Sequence, residues 1–478
     1  MKKRVHFVYD FLLPSGPLQF GYTRYELPIN VLNQVDTNIK ENGVLMSSPH
    51  NPSDYKLMTG MFADEFINHN DYWVKTTVNE VNQIIKKKSY KEEDNLFLVV
   101  LESTNSCNFF EYYLDPILKF KDLFSPRLLS YLKKYENFKI LMMDNREGSY
   151  THKEKLMSKI QNFLEEQKIT HKDKFVLSSC NEHINKLKNH KSYSKRQIKV
   201  YNNDFYIYKS GQFIVETEER ENKIVENGYS YSLQTELNFE DKEKYYLMYN
   251  RNSARLHRPY FVHKLFKNNI LDKGIISLFK TKDFDDILET PYIFGKKNHT
   301  DNIGIGRADY LEWKESINSW YPLVIDNPNE EEVAWYHNFL SRKDEYEKTY
   351  FSIVSETSAE TKYLFVTEKT LKPIMNLHPF FINGNPGILN HLKKIGFKTF
   401  DKWWDESYDS ETNFRKRTDM IIEQVKLVCN KSPKEMNDMI LEMKDILTYN
   451  KHLLRQLFTS KKYEKRLLNI LTTDTSMI

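Results

Sequence analysis

Short, nearly continuous apolar runs separated by amphipathic stretches recur along this chain, and that alternation constrains its fold more than any other feature. In the first half the runs are "RVHFVYD" (4–10), "NLFLVVLES" (95–103), "FKILMMDN" (138–145), "KFVLSS" (174–179) and "QIKVYN" (197–202). Between them lie helical patterns such as "EKLMSKIQNFLEEQK". A strand that is apolar on both faces must be covered on both, which is the sequence form of a parallel sheet between two layers of helices. A second block repeats the rhythm with "KYYLMYN" (244–250), "GIISLF" (274–279), "YFSIVSE" (350–356), "YLFVTE" (363–368), "HPFFIN" (378–383) and "FKTF" (397–400). The polar, Tyr-rich stretch 203–243 breaks the pattern and reads as a connector with irregular or hairpin structure.

The expected fold class is therefore α/β, with two Rossmann-like domains facing across a cleft and a helical C-terminal tail. The boundaries expected are 1–240, 241–410 and 411–478. A chain of 478 residues is too long for one ordinary core, and 40% hydrophobic with 28% charged residues is a folded composition. A net charge of +4 does not suggest a protein built to coat nucleic acid. Three scattered cysteines without a CxxC pair exclude a disulfide framework and a zinc ribbon, and fit a reducing compartment. Asp10 interrupts the N-terminal apolar run, so that run reads as a first core strand and not as a signal peptide. Cytoplasmic localisation is expected, since no apolar stretch approaches the roughly 18 residues a bilayer span needs. Leucines at helical spacing among lysines and arginines in the last residues suit a helix packed on the domains better than one resting on an anionic membrane.

In doubly wound sheets ligands bind beyond the carboxyl ends of the strands. Three clusters of the second block fall there. "YNRNSARLHRPYFVHKLF" carries Arg251, Arg255 and Arg258 about a helix start with Ser253 as the candidate N-cap. Free backbone N–H groups, the positive helix end and guanidinium forks suit a diphosphate, although arginines at such a position also make an ordinary solvated helix start. "FSIVSET" ends a strand with Ser355, Glu356 and Thr357. "FVTEKTLKPI" places Thr367, Glu368 and Lys369 at a strand-to-helix turn. Pro373 would clash with the carbonyl of Lys369, so the helix is expected to begin near Lys369 or to kink there. A carboxylate at such a turn can hold the vicinal hydroxyls of a ribose, and an ammonium can balance a pyrophosphate.

The succession of these motifs, continuing into "HPFFINGNPGIL" and "DESYD" (405–409), resembles the donor-binding half of GT-B glycosyltransferases. It is similar in particular to the fucosyltransferase-like group and to phage and giant-virus glycosyltransferase-like proteins, over residues 245–410. The resemblance implies that Arg251 or Arg255 contacts donor phosphate, that Glu368 holds the ribose and Lys369 the diphosphate, and that Glu356 stands near the sugar. Fucosyltransferases lack the proline at 373, which leaves the donor nucleotide open, with a GDP-sugar as the preference.

Sugar transfer with inversion needs a base for the acceptor hydroxyl. Strand ends of the first half offer Asp10, Glu102 and "DNREG", within which Asp144 and Glu147 are preferred because Gly148 permits a tight loop. Caps and turns use the same residue types equally well. "DFD" (283–285) fits an Asp-x-Asp metal pattern, but the arginine and lysine cluster supplies the same charge. The expectation is no metal and no cofactor beyond the nucleotide-sugar co-substrate. The function expected is a glycosyltransferase, inverting and metal-independent, acting on a glycan or lipid-linked saccharide. The alternatives are transfer to a modified base in DNA, and a non-catalytic nucleotide- or glycan-binding protein on the same fold.

Overall fold

The structure is a computed structural model that describes residues 4–9, 24–25, 57–58, 73–103, 124, 126–144, 153–180, 182–189, 197–202, 205–219, 223–226, 229–252, 257–279, 312–313, 315–317, 319–323, 343–359 and 364–472. The chain divides into two compact units, Met1–Asn203 with Glu464–Ile478, and Asp204–Tyr463. Both are α/β, each built on a parallel sheet.

Unit 1 contains β1 (Arg4–Tyr9), a two-residue ladder of β2 (Arg24–Tyr25) and β3 (Leu57–Met58), then β4 (Trp73–Thr77), β5 (Asn95–Ser103), β6 (Phe138–Asp144), β7 (Phe175–Ser179) and β8 (Ile198–Asn202). Its six-stranded sheet runs β4-β1-β5-β6-β7-β8 with every pair parallel. Helices α1 (Val78–Ile85), α2 (Pro126–Lys134) and α3 (Lys153–Glu166) cover it. They bury Val78 and Val81, Leu128 and Leu132, and Met157, Ile160 and Leu164, each set at three- or four-residue spacing. Phe97 and Phe138 stack at 4.5 Å between neighbouring strands at the centre of that core.

Unit 2 opens with α4 (Phe205–Glu219) and the hairpin β9 (Lys223–Glu226) with β10 (Tyr229–Ser232). Its sheet has β11 (Lys244–Asn252), β12 (Gly274–Phe279), β13 (Thr349–Ser355) and β14 (Phe380–Asn383) in the order β12-β11-β13-β14, all parallel. Helices α5 (His257–Lys267), α6 (Lys343–Glu347), α7 (Glu368–Met375), α8 (Ile388–Ile395), α9 (Phe414–Cys429) and α10 (Pro433–Thr459) complete it. The last helix, α11 (Lys462–Thr472), carries the chain back into unit 1. There Lys139 and Lys199 donate to the carbonyls of Leu471 and Ile470 at 2.6 and 2.9 Å, so two cations close the negative end of the helix.

Several expectations change. The hairpin of 203–243 is present, but a helix, α4, precedes it. The reason is packing: α4 lies against α10, where a Cβ on Gly211 would come within 2.7 Å of the Leu454 carbonyl oxygen and of Phe458 Cβ. Residues 364–367 and 397–400 are not strands. Leu364, Phe365, Phe397 and Phe400 are buried as expected, but side chains satisfy the backbone of the second segment. Asn450 on α10 takes the N–H of Lys398 and gives to its carbonyl, both at 2.8 Å, and Glu406 accepts the N–H of Phe400. Between Phe414 and Thr472 the chain is three helices joined by short turns, and no described helix is long and apolar enough to cross a membrane. Cys180 and Cys429 are buried; Cys107 lies outside the described residues.

Two outcomes follow from this packing. Gly211→Ala is expected to destabilise unit 2 by about 1–3 kcal/mol in a denaturant titration, because its new methyl overlaps α10 backbone. His378 is fully buried, accepts from Ser352 at 2.7 Å and donates to the Thr349 carbonyl at 2.8 Å. Burial pushes its imidazole down to about 4 from 6.5. The unfolded chain therefore binds the proton first as pH falls. Stability held above pH 6.5 is lost toward pH 4, by about 3 kcal/mol, and His378→Gln is expected to flatten that part of a pH-dependent unfolding curve.

Candidate functional site

In unit 2 the chain leaves β11 toward β12 through α5, and leaves β13 toward β14 through α7, in opposite directions across the sheet. The order of strands thus reverses between β11 and β13. At such a switch point the helices following the two strands diverge to opposite faces, and their amino ends border one crevice. The strands there end in Asn250, Arg251 and Asn252, and in Ser355, followed by Glu356. The ladder of β11 with β12 shifts register between Asn250 and Asn252, a bulge of the kind that re-aims side chains at strand ends.

Glu356 ties this region together. One carboxylate oxygen accepts from the Thr367 N–H at 3.2 Å and the Thr370 hydroxyl at 2.5 Å. The other accepts from the Thr367 hydroxyl at 2.6 Å and the Thr357 N–H at 3.3 Å. Its backbone N–H donates to Asn383 at the end of β14, and its carbonyl accepts from His257 at 2.8 Å and Arg258 at 3.4 Å at the start of α5. Burial pushes its carboxyl up, against the pull of Lys369 and of the two threonine hydroxyls. A side chain expected near a sugar is thus enclosed by its own neighbours and braces the turn.

Thr367 is the N-cap of α7: its hydroxyl gives to Glu356 and accepts from the Lys369 N–H at 3.3 Å. The helix begins at Glu368, within one residue of the expected start, and contains Pro373. Glu368 and Lys369 form an ion pair at 2.7 Å in which the carboxylate is 5% and the ammonium side chain 24% exposed. Arg258 is buried in the opening turn of α5, where it donates to the Glu356 carbonyl. Arg258, Glu356, Thr367, Glu368 and Lys369 therefore all stand at the strand-to-helix turns of the switch point.

Arg251 closes β11 by its backbone; its side chain, Ser253 and Arg255 lie outside the described residues, as do Glu147, Asp10 and Asp283–Asp285. Asp144 ends β6 opposite Ser103 and Ser179, and only its backbone is described. Among the described residues no group of His, Cys, Asp and Glu is placed to hold a metal ion. The acidic motif at 405–409 braces loops. Asp409 accepts from the N–H groups of Leu389 and Asn390 at 2.9 and 3.0 Å, which fills the amino end of α8, while Glu406 accepts from Thr399 and Phe400. The residues that sequence reasoning passed over are His257, Thr370 and Asn383. Thr370 carried a signal, since it follows Thr367 by three residues and must share its helix face.

Replacing Glu356 by Ala leaves two hydroxyls and two amides without their acceptor and is expected to destabilise unit 2 by about 2–4 kcal/mol. Glu356→Gln keeps one carbonyl oxygen, and hydroxyls can turn to accept from its amide. It is expected to lose less than half as much in a urea titration.

No family model and no curated protein matches the chain. Among solved structures it is similar to the DNA-modifying enzyme beta-glucosyltransferase, solved with and without its substrate uridine diphosphoglucose, at 10% identity over 84% of this chain and 86% of that one, with a TM-score of 0.35. It is likewise similar to T4 phage beta-glucosyltransferase bound to UDP-glucose, at 11% identity over 82% of this chain and 86% of that one, TM-score 0.34. The same T4 phage enzyme with UDP and Mn2+ matches at 11% identity over 84% and 87%, TM-score 0.34. At these TM-scores the likeness fixes neither a reaction nor a ligand for this chain.

Proposed function

We propose that the protein is a glycosyltransferase of the GT-B kind, which moves a sugar from a nucleotide-sugar to an acceptor hydroxyl, with unit 2 holding the donor and unit 1 the acceptor. The observation that carries this is the convergence at the switch point of two helix starts, each bearing a cation. Arg258 stands in the first turn of α5 and Lys369 in the first turn of α7. A cation at the positive end of a helix opposes the macrodipole, so two such placements beside one crevice favour an anionic ligand. The motif resemblance to donor-binding halves supports the same reading from the sequence side.

In this mechanism Arg251, Arg255, Arg258 and Lys369 take the charge of the diphosphate as it leaves. Glu368, held at the turn by Lys369, accepts from the ribose hydroxyls. Glu356 fixes both helix starts and touches no substrate. The acceptor oxygen attacks the anomeric carbon as the bond to the β-phosphate oxygen breaks, and the electron pair of that bond stays with the nucleoside diphosphate. The attack comes from the face opposite the leaving group in a single displacement, which gives inversion, and Asp144 or Glu147 receives the acceptor's proton. The chain's own cations neutralise the leaving group, so transfer proceeds without a divalent metal, and a glycan or lipid-linked saccharide is the acceptor.

Labelled nucleotide-sugars test this. Lys369→Ala is expected to reduce sugar transfer, or donor hydrolysis where no acceptor is supplied, by about a hundredfold or more. Glu368→Ala is expected to raise the donor KM. A substitution at exposed Lys434 is expected to change neither. Normal donor turnover by both site variants would remove the assignment.

A further inference from the structure

The ends of β11, β13 and β14 carry a second feature, independent of the charged turns. Ser355 and Asn383 are direct partners in the parallel ladder of β13 and β14. The ladder of β11 and β13 pairs Leu247 with Ser352, so three residues on Asn250 stands level with Ser355, ahead of the bulge. Residues level with one another in a parallel sheet point to the same face. Asn250, Ser355 and Asn383 therefore form one row across three adjacent strands. Two residues earlier on that face stand Met248, Ile353 and Phe381, all buried, so the row marks where the apolar face of the sheet ends.

The three side chains are 0%, 1% and 0% exposed. Among the described residues, neither amide atom of Asn250, neither amide atom of Asn383, nor the Ser355 hydroxyl has a hydrogen-bond partner. Thr357, two residues after Ser355, has an unpartnered hydroxyl as well. Buried polar groups are nearly always satisfied, and a row of them left open is costly to the fold. Internal water could answer one such group, but this row lies at the carboxyl ends of the strands that flank the switch point, where ligands of such sheets bind. It directly adjoins Glu356. Gly384, next to Asn383, keeps that approach close, since a Cβ there would lie 3.4 Å from Glu356 Cβ.

We propose that Asn250, Ser355 and Asn383 form an uncharged floor that receives the neutral part of the donor, a ligand edge that both gives and accepts hydrogen bonds. The proposal rests on the reading of unit 2 as the nucleotide-sugar half. A carboxamide offers a donor and an acceptor side by side, which matches a pair of sugar hydroxyls or the lactam edge of a nucleobase. The row carries no charge and so does not suit phosphate, for which Arg258 and Lys369 are available on the adjoining helix starts. It divides the crevice into a charged and a neutral part. Discrimination among donors then falls to the neutral part, because a site built to hydrogen-bond rejects a ligand that cannot answer it.

Thermal shift and calorimetric titration with UDP, GDP, UDP-glucose and GDP-mannose decide the point, using the full chain and the variants Asn250→Leu, Asn383→Leu and Ser355→Ala. The leucine variants are expected to unfold at the same or a higher temperature without ligand, since an unsatisfied group has been removed. They are expected to bind the preferred sugar nucleotide at least tenfold more weakly. Loss of affinity for UDP or GDP alone places the base on the row; loss confined to the sugar nucleotide places the sugar there. Variants that gain stability and bind every probe as the wild type does would show a row serving the fold alone, and end the proposal. A wild type that answers none of the four probes would instead overturn the nucleotide-sugar reading, and this inference with it. Should a leucine variant fail to fold, Ser355→Ala and Asn383→Ser give the same comparison with smaller changes.

Discussion

The buried carboxylate of Glu356 is the constraint on which the second unit's site depends. Removing a carboxylate from water disfavours its charged form, and here burial does push the group up. Four donors, two hydroxyls and two amides, surround it in compensation. The donors come from two segments: Thr357 follows the glutamate directly, while Thr367 and Thr370 open the next helix. The amino end of α7 is thus set against the end of β13 by directional bonds rather than by apolar contact. Through its carbonyl the same residue reaches His257 and Arg258, so the amino ends of α5 and α7 are placed by one side chain and its own peptide group.

That placement explains why an acid and a base stand next to each other where α7 begins. Glu368 suits the positive end of a helix, and Lys369 does not. The ion pair between them contributes little by itself, since the ammonium is partly in solvent. What the pair does is hold the ammonium at the helix start, where isolated helix energetics would not put it. With Arg258 at the start of α5, unit 2 carries two cations at positions that favour an anion and disfavour the free helix.

Most of the sheet was legible from apolar runs, because a strand covered on both faces has to be apolar throughout; β5 and β12 coincide with the runs that announced them. The failures have physical causes. Residues 364–367 and 397–400 have the burial of strands, but periodicity reports burial and not backbone pairing, and for the second segment Asn450 supplies the partner from 52 residues away. The edge strand β4, "WVKTT", is too polar to stand out. Helix α4 is rich in aromatic and β-branched residues and contains a glycine, so its propensity argues against a helix that packing on α10 decides. At the site, strand ends and the turn pointed to Glu356, Thr367, Glu368 and Lys369, which are joined by hydrogen bonds and an ion pair. They could not tell that Glu356 faces its own threonines, because the hydroxyls it meets stand 11 and 14 residues further along the chain.

Features that weaken the fold gather at one end of one sheet. A row of uncharged groups without partners among the described residues, a carboxylate held against its solvation and a lysine at the wrong helix end all lie within a few residues of the β11–β13 switch. Each unsatisfied buried group costs about 1–3 kcal/mol, so the region is a net debit to unit 2. The offset lies elsewhere in that unit. Phe381 stacks on Trp404 at 4.4 Å. Ser432 and Glu435 close the amino end of α10 with a reciprocal capping box, and that helix buries Met436, Ile440, Met443, Leu447 and Leu454 along one stripe. A chain selected for stability alone would have replaced Asn250 and Asn383 with leucine and moved Lys369 to the far end of its helix. That it has done neither is physical reason to place the contacts of the proposed donor at this end of the sheet, since what the free protein lacks there is what a charged and hydroxyl-rich ligand would provide.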